Sequence, residues 1–182
     1  MTTQGDVMAT NHTYVQISEP LFRFSTDALM FAFRYSGEQY ALSPVAKMMG
    51  LRGGSGKGLS GLDGAAQAGM IRDEVGRMNP NERDCIIARY SVTKDGLQAK
   101  INLIPLAASA LPTGMHSRRM VDQLVQRYFG KKMAIAELSE SFGIERRTMH
   151  NRWLDIAKRL RETEDRAGIM IHDRLVSSGL VE

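Results

Sequence analysis

The sequence predicts an all-α protein built from several helices, and three observations carry this prediction. Apolar residues recur at spacings of three and four, which is the period of an amphipathic helix. Prolines and glycines stand where helices are expected to begin and end, as at Pro80 and Gly143. Strand-like and helix-like segments do not alternate along the chain, so nothing indicates a parallel sheet. The 182 residues suffice for one domain or two small ones.

The clearest helical pattern lies at residues 131–161, KKMAIAELSESFGIERRTMHNRWLDIAKRLR. A first helix is expected to end at Gly143, because glycine adopts the left-handed conformation without strain. Ser139 is small enough to let this helix pass close to the next one. The second helix carries one apolar stripe with spacings of four, three and four, formed by Met149, Trp153, Ile156 and Leu160. With a preceding helix at 117–129, the pattern predicts a C-terminal trihelical helix-turn-helix.

The polar face of the second helix carries side chains that pair with base edges. Arginine bonds guanine at two points, and asparagine bonds adenine in the same way. Since residues near the start of such a helix reach the bases, the predicted base-reading residues are Arg146, Arg147, His150 and Asn151. The predicted phosphate contacts are Lys131, Lys132, Thr148, Arg152, Arg118 and Arg119.

Positive charge is concentrated in the same stretch. Residues 131–161 hold eight Lys and Arg against four Asp and Glu, and this difference of +4 equals the formal net charge of the whole chain. A surface that binds phosphate groups requires such a concentration. The alternative is an ordinary helical hairpin with a solvated basic face. The coincidence of the turn, the small residue and the basic face favours double-stranded DNA as the partner.

Composition excludes several other classes of protein. The single Cys85 excludes an internal disulfide and a cysteine-based zinc site, and no metal or cofactor is predicted. No run approaches the 18 or so apolar residues of a membrane span, and the polar N-terminus is not typical of a signal peptide. We therefore expect no membrane association and a cytoplasmic location.

The N-terminal third is predicted to hold a flexible N-terminus at 1–20, a small helical segment at 21–50 and a glycine-rich linker at 51–61. Within the helical segment, one helix begins near Ser25 and a short second helix spans 43–50. Its many aromatic residues indicate a core helix or, alternatively, a docking surface for another protein. The linker lacks two residues of a phosphate-binding loop, because Leu51 and Gly58 occupy their positions.

Residues 62–165 are interpreted as the DNA-binding domain. A helix is expected at 62–78, and the next begins at Pro80, with Asn79 as its cap and Glu82 completing a capping box. Residues 91–116 are interpreted as an irregular insertion, although 97–106 could form a short strand or helix, between which its periodicity does not decide. Residues 166–182 are expected to form a packed C-terminal tail, with a short helix or a dimer contact as alternatives.

The chain is predicted not to be an enzyme. Its four histidines are scattered and form no metal-binding spacing. The carboxylates fall on solvated helical faces, with no pair that suggests a raised pKa. A recombinase or transposase would add a nucleophile or an acidic cluster in a substantial α/β domain, which the sequence does not show.

The run TMHNRWLDIAKRLRE at 148–162 resembles the recognition helix of bacterial sigma-factor region 4. The matching residues are Thr148, Arg152, Leu160 and Arg161. The departures are Met149 for the usual valine, Trp153 for leucine and Glu145 for a capping serine. The run EVGRMNPNERDCIIARY at 74–90 is similar to the first helices of region 4, although about 40 residues separate it from the helix-turn-helix.

The order of these parts over residues 62–162 resembles the phage late-gene antitermination proteins of the Q type. The resemblance implies a protein of a bacterial host cell, encoded by a phage or prophage, that binds DNA near a promoter. It also implies that residues 21–61 or 91–116 contact RNA polymerase, which then reads through terminators. The main alternative is a simple repressor or activator acting by operator occupancy, and a further one is the DNA-binding part of a recombinase. A homo-oligomer on DNA fits any of these.

Overall fold

A computed structural model describes residues 20–41, 62–112, 114 and 117–182. Most of the predicted flexible N-terminus, the short helix at 43–50 and the linker at 51–61 lie outside the described residues. Within them the chain forms eight α-helices and no β-strand, so the all-α prediction is confirmed. An isolated β-bridge joins Phe22 to Val181. None of the described helices is both long enough and apolar enough to cross a membrane.

The helices follow one another as α1 (Ser25–Ala41), α2 (Leu62–Gly76), α3 (Pro80–Tyr90), α4 (Lys94–Asn102), α5 (Ile104–Ala108), α6 (Arg118–Tyr128), α7 (Ile135–Phe142) and α8 (Arg146–Ser177). Their buried side chains form two apolar clusters. The first cluster is formed by the five helices from α3 through α7 together with the N-terminal half of α8. The second joins α1 and α2 with the C-terminal half of α8. Helix α3 contributes Cys85 to the first and Ile86 to the second, so neighbouring residues tie the clusters together.

Helix α8 is much longer than the sequence analysis expected. The pattern was expected to end near Arg161, and the tail at 166–182 was expected to be separate. Instead the helix continues to Ser177, because Ala167, Ile171 and Leu175 prolong the buried stripe at spacings of four. At 1.5 Å per residue its 32 residues span about 48 Å. The predicted tail is therefore mostly the far end of this helix, and it packs on α1 and α2.

The prediction of irregular structure at 91–116 was wrong for most of that range. Residues 94–102 and 104–108 form α4 and α5. Thr93 caps α4, since its hydroxyl accepts a hydrogen bond from the Asp95 amide at 3.3 Å. Pro105 stands in the first turn of α5, where its missing N–H costs nothing. Both helices are so short that their apolar period could not be distinguished from that of a strand.

The start of α3 was predicted at the correct residue, but the predicted capping hydrogen bonds do not form. Pro80 is its first residue, as expected. However, the Asn79 side chain does not cap the helix. Its amide instead donates to the Glu82 carboxylate at 3.0 Å, so the expected capping box does not form. The next predicted start is correct, because the Ser117 hydroxyl accepts from the Met120 amide and caps α6.

A cluster of three side chains joins α3, α6 and α8. Both oxygens of the Glu164 carboxylate accept hydrogen bonds from the Arg89 guanidinium, at 2.6 and 2.8 Å. The Tyr128 hydroxyl donates to the same carboxylate at 2.6 Å. The Arg89 guanidinium also lies over the Tyr128 ring, 5.3 Å from its centroid. We call these three residues the Glu164 clamp. It fixes α8 in register against the two other helices.

The corner between α3 and α4 requires glycine at position 96. A Cβ atom there would lie 2.2 Å from the Ser91 carbonyl oxygen. At that distance the backbone would have to move. We therefore expect Gly96→Ala to lower the free energy of unfolding by about 1–2 kcal/mol, because the added methyl group forces the corner apart. Gly168→Ala is the control. Its Cβ meets nothing within 4 Å, so it should raise helix stability by about 0.5–1 kcal/mol. Urea denaturation measures both, and equal effects would contradict this account.

Candidate nucleic-acid interface

The turn between α7 and α8 is held by local contacts. Helix α7 begins with the Ala134 amide donating to the Glu137 carboxylate at 3.2 Å. It ends at Gly143, which has φ 61° and ψ 33° in the left-handed region, as predicted. The Ser139 hydroxyl then donates to the Ile144 carbonyl oxygen. Ser139 therefore does more than leave space, because its hydroxyl closes the turn.

The apolar stripe of α8 packs as the sequence predicted. Met149, Ile156 and Leu160 are fully buried in the first cluster. Trp153 is half-buried at the edge of the same cluster, 6.5 Å from the Tyr128 ring centroid to centroid. This packing fixes the rotation of α8 about its axis. It also decides which of the remaining side chains face outward.

All four predicted base-reading residues are exposed: Arg146, Arg147, His150 and Asn151. At about 100° per residue, Arg147 and Asn151 lie almost opposite the buried stripe. Arg146 and His150 are turned from that direction toward α7. The structure therefore brings the four residues to one helix end and divides them into an outer pair and an inner pair.

The inner pair, together with Arg147 of the outer pair, lines a groove of about 730 Å³ between α8, the start of α7 and the end of α6. The lining residues are Arg127, Ile135, Glu145, Arg146, Arg147, His150 and Trp153. Arg127 was not predicted as a functional residue. Its guanidinium lies 5.0 Å from the centroid of the Trp153 ring, and its Nε atom is buried without a hydrogen-bond partner in the described part of the chain. Because Arg127 is distant from residues 146–152 in the sequence, no local pattern predicted this placement.

The predicted phosphate contacts near the turn differ in accessibility. Lys131 and Lys132 are exposed, and the Lys131 ammonium donates to the Gln126 side-chain oxygen at 2.9 Å. Thr148 is half-buried, and its hydroxyl donates to Glu145 at 3.3 Å. Arg152 is half-buried against α6, where its guanidinium approaches the Met120 sulfur at 3.6 Å. The two lysines are thus more accessible than the other two.

The other two predicted phosphate contacts, Arg118 and Arg119, are exposed at the start of α6. Arg118 does not line the groove that holds Arg146 and His150. It lines a second groove of about 740 Å³ between α4, α5 and α6. The structure therefore separates Arg118 from the base-reading candidates.

Positive charge in this half of the molecule is not neutralised by ion pairs. Residues 117–161 hold eleven Lys and Arg against five Asp and Glu. The ion pairs among the described residues all involve cations outside this range, at 77, 83, 89, 166 and 174. Long basic side chains without carboxylate partners are available to an external anion.

The charge along α8 also opposes the helix dipole. The first turn contains Arg146 and Arg147 and no acidic residue. Residues 162–177, in contrast, hold four Asp and Glu and two Arg. A cation at a helix N-terminus lowers the stability of the helix by about 0.3–1 kcal/mol, whereas an acidic side chain there raises it. The two arginines are therefore not explained by the stability of α8. Together with Glu145 at the N-cap, they leave the start of the helix with a net positive charge of one.

One further exposed side chain on the outward face of this helix is apolar. Leu154 is 50% exposed and lies one turn beyond His150 on the outward face.

The described residues show no group of three His, Cys, Asp or Glu side chains that could hold a metal ion. Comparison with protein-family models and with curated proteins found no match to this chain.

Proposed function

We propose that the protein binds double-stranded DNA in a sequence-specific manner and regulates transcription. On this proposal α7 and α8 act as a helix-turn-helix, with α6 as the third helix of the unit. One observation carries the proposal: the buried stripe of α8 directs Arg147 and Asn151 outward at a helix start whose arginines form no ion pair among the described residues. Such side chains are the usual readers of guanine and adenine in the major groove.

The two pairs of exposed residues take different roles in this proposal. Arg147 and Asn151 point away from the protein, so we assign them to base edges. Arg146 and His150 line the inner groove with Arg127, and Arg147 and Glu145 also belong to its lining. Arg127, Arg146 and His150 suit a phosphate of the backbone that flanks the major groove. Lys131 and Lys132 extend the same basic surface along the backbone.

Selection from a random duplex library with the purified chain tests the proposal. We expect enrichment of one sequence motif that contains guanine and adenine, and protection of that motif in a footprint. Binding to the selected site should exceed binding to random duplex by a factor of about 10³ or more at physiological salt. Equal affinity for all duplexes would show that the basic surface binds DNA without reading its sequence.

Lys132→Ala should weaken binding to every duplex by a similar factor. Lys132 is exposed beside the turn and is assigned to a phosphate, which carries no sequence information. The slope of log Kd against log salt concentration should fall by about one unit. Lys94→Ala is the matched control, because Lys94 is also exposed but lies on α4. A loss confined to the selected site would contradict the phosphate assignment.

We further propose that the protein contacts RNA polymerase through the groove between α4, α5 and α6 and acts as an antitermination factor. The groove has the apolar residues Ile101, Ile104 and Val121 in its floor beside the amides Gln98 and Asn102, and Arg118 is the one charged residue among the described residues that line it. Ile101 is itself 41% exposed beside the exposed Leu97. A DNA backbone would gain little from such a floor, whereas an acidic amphipathic segment of polymerase matches both the floor and the arginine.

Transcription in vitro on a template with a terminator separates this role from operator occupancy. We expect read-through that requires the selected DNA site. Ile101→Glu should abolish read-through and leave DNA binding unchanged. Val176→Glu is the matched control, because Val176 is also 41% exposed but lies at the other end of the molecule. Site-dependent repression without read-through would instead favour a simple repressor.

A further inference from the structure

Leu154 lies in line with the outward-facing residues of α8. Arg147, Asn151 and Leu154 are spaced four and three apart. Residues at i, i+3, i+4 and i+7 share one helical face. Side chains with this spacing on a recognition helix can reach base edges along the floor of the major groove. Leu154 therefore continues the line of candidate readers by one position.

Packing within the protein does not explain the apolar character of Leu154. Its side chain is 50% exposed and belongs to neither buried cluster. It is also not an isolated apolar residue, because Trp153 and Ala157 lie beside it in a shallow groove of about 400 Å³. The rest of the groove lining is charged: Lys158, Arg161, Glu162 and Asp165. An apolar patch thus begins immediately beyond Asn151.

We propose that Leu154 reads the 5-methyl group of a thymine in the major groove. This inference rests on the proposed sequence-specific DNA binding and adds a residue and a base to it. Thymine is the base that presents a methyl group to the major groove. Leu154 lies three residues beyond Asn151, about 4.5 Å along the helix axis. Since base pairs are spaced by about 3.4 Å, the thymine lies one or two base pairs from the adenine that Asn151 contacts.

The neighbouring charges favour DNA over a protein partner at this position. Asn151 precedes Leu154, and Lys158 follows it one turn later on the same face. The acidic residues Glu162 and Asp165 lie at the far end of the groove, two to three turns from Leu154. The end of the patch that holds Leu154 is flanked by the Asn151 amide and the Lys158 ammonium, and Asp155 is the one acidic residue between these two positions.

Replacing thymine with deoxyuridine in the selected site tests the inference, because the exchange removes only the methyl group. Each thymine is replaced in turn, and the Kd of the full chain is measured by anisotropy. We expect one position at which the native protein loses about fourfold in affinity, which corresponds to burial of one methyl group. Leu154→Ala should bind the thymine and deoxyuridine sites equally. Leu154→Met should keep most of the preference for thymine.

Ile169→Ala is the control variant, since Ile169 is an exposed apolar residue farther along α8. It should retain the full preference for thymine. Circular dichroism of each variant confirms that the helix is intact. An unchanged deoxyuridine penalty in Leu154→Ala, or no penalty in the native protein, would overturn the inference and leave the proposed function standing. If selection yields no preferred sequence, the proposed function fails first and this inference fails with it. If Leu154→Ala lost polymerase binding but kept the native sensitivity to the thymine methyl group, the patch would instead be assigned to a protein contact.

Discussion

Glu164→Ala is expected to lower the free energy of unfolding by about 2–3 kcal/mol. The substitution removes an acceptor shared by Arg89 and Tyr128 and leaves both donors partly buried without it. A hydrogen bond to a charged group contributes about 1.5–3 kcal/mol. The Arg89 side chain is 36% exposed, so water partly replaces its lost partner and keeps the effect below that of a fully buried ion pair. Urea denaturation at neutral pH measures the loss.

Two substitutions on the same helix provide the comparison. Glu162→Ala removes an exposed carboxylate two residues away and should change the free energy of unfolding by less than about 0.5 kcal/mol. Glu164→Gln keeps one acceptor oxygen without the charge and should fall between the two. Equal losses for the substitutions at 162 and 164 would show that the clamp contributes nothing specific.

The clamp also predicts the direction of a pH effect. Burial by itself raises the pKa of Glu164, but hydrogen bonds from Arg89 and Tyr128 and the charges of Arg89 and Arg161 together hold that pKa below its ordinary value of 4.5. A carboxyl whose pKa is lower in the folded state stabilises the fold above its unfolded pKa, and this stabilisation is lost as the pH falls through the folded pKa. The stability difference between the native protein and Glu164→Gln should therefore be constant above about pH 5 and shrink below pH 4.5. A difference that stays constant down to pH 3 would exclude this linkage.

Arg147→Ala should weaken binding to the selected DNA site by about 1–3 kcal/mol, or about 5- to 150-fold. Arg147 points directly away from the buried stripe of α8 and has no ion-pair partner among the described residues. Loss of a guanidinium that bonds guanine should also relax the preference at one base position. A repeated selection with the variant measures that relaxation.

Arg166→Ala is the control for Arg147→Ala, because it removes an exposed arginine from the same helix about 28 Å farther along the axis. It should leave the affinity for DNA unchanged. If Arg147→Ala weakens selected and random duplexes by the same factor, Arg147 contacts the backbone and the assignment to a base is wrong. Because Arg147 is exposed and lies in the first turn of α8, its removal should leave the thermal stability of the protein unchanged or slightly raised.

The parts of the site that depend on local sequence could be predicted. The left-handed residue at Gly143 follows from a glycine placed after an apolar helical pattern. The stripe of Met149, Ile156 and Leu160 follows from its period alone, and burying it exposes the opposite face. The exposure of Arg146, Arg147, His150 and Asn151 is a direct consequence of that period.

Other features of the fold lay beyond sequence reasoning because they depend on contacts between distant residues. Helices α4 and α5 are too short for their periods to be decisive, and their burial against α3 and α6 stabilises them. Asn79 was expected to cap α3, but the nearby Glu82 carboxylate is its partner instead. The clamp joins residues 75 and 36 positions apart, and no local pattern indicates such pairs.

The amino-acid sequence by itself determined an all-α chain, the turn at Gly143 and the outward direction of Arg147 and Asn151 on α8, since these follow from helical periodicity and backbone preference. The tertiary structure alone decided that α8 continues to Ser177, that Arg127 joins Arg146 and His150 in one groove, and that Arg118 lies in another. The physical reason is that a helix persists as long as it has an apolar partner to pack against. The partners of α8 come from helices distant in the chain, and their positions are fixed only when the two buried clusters form around it.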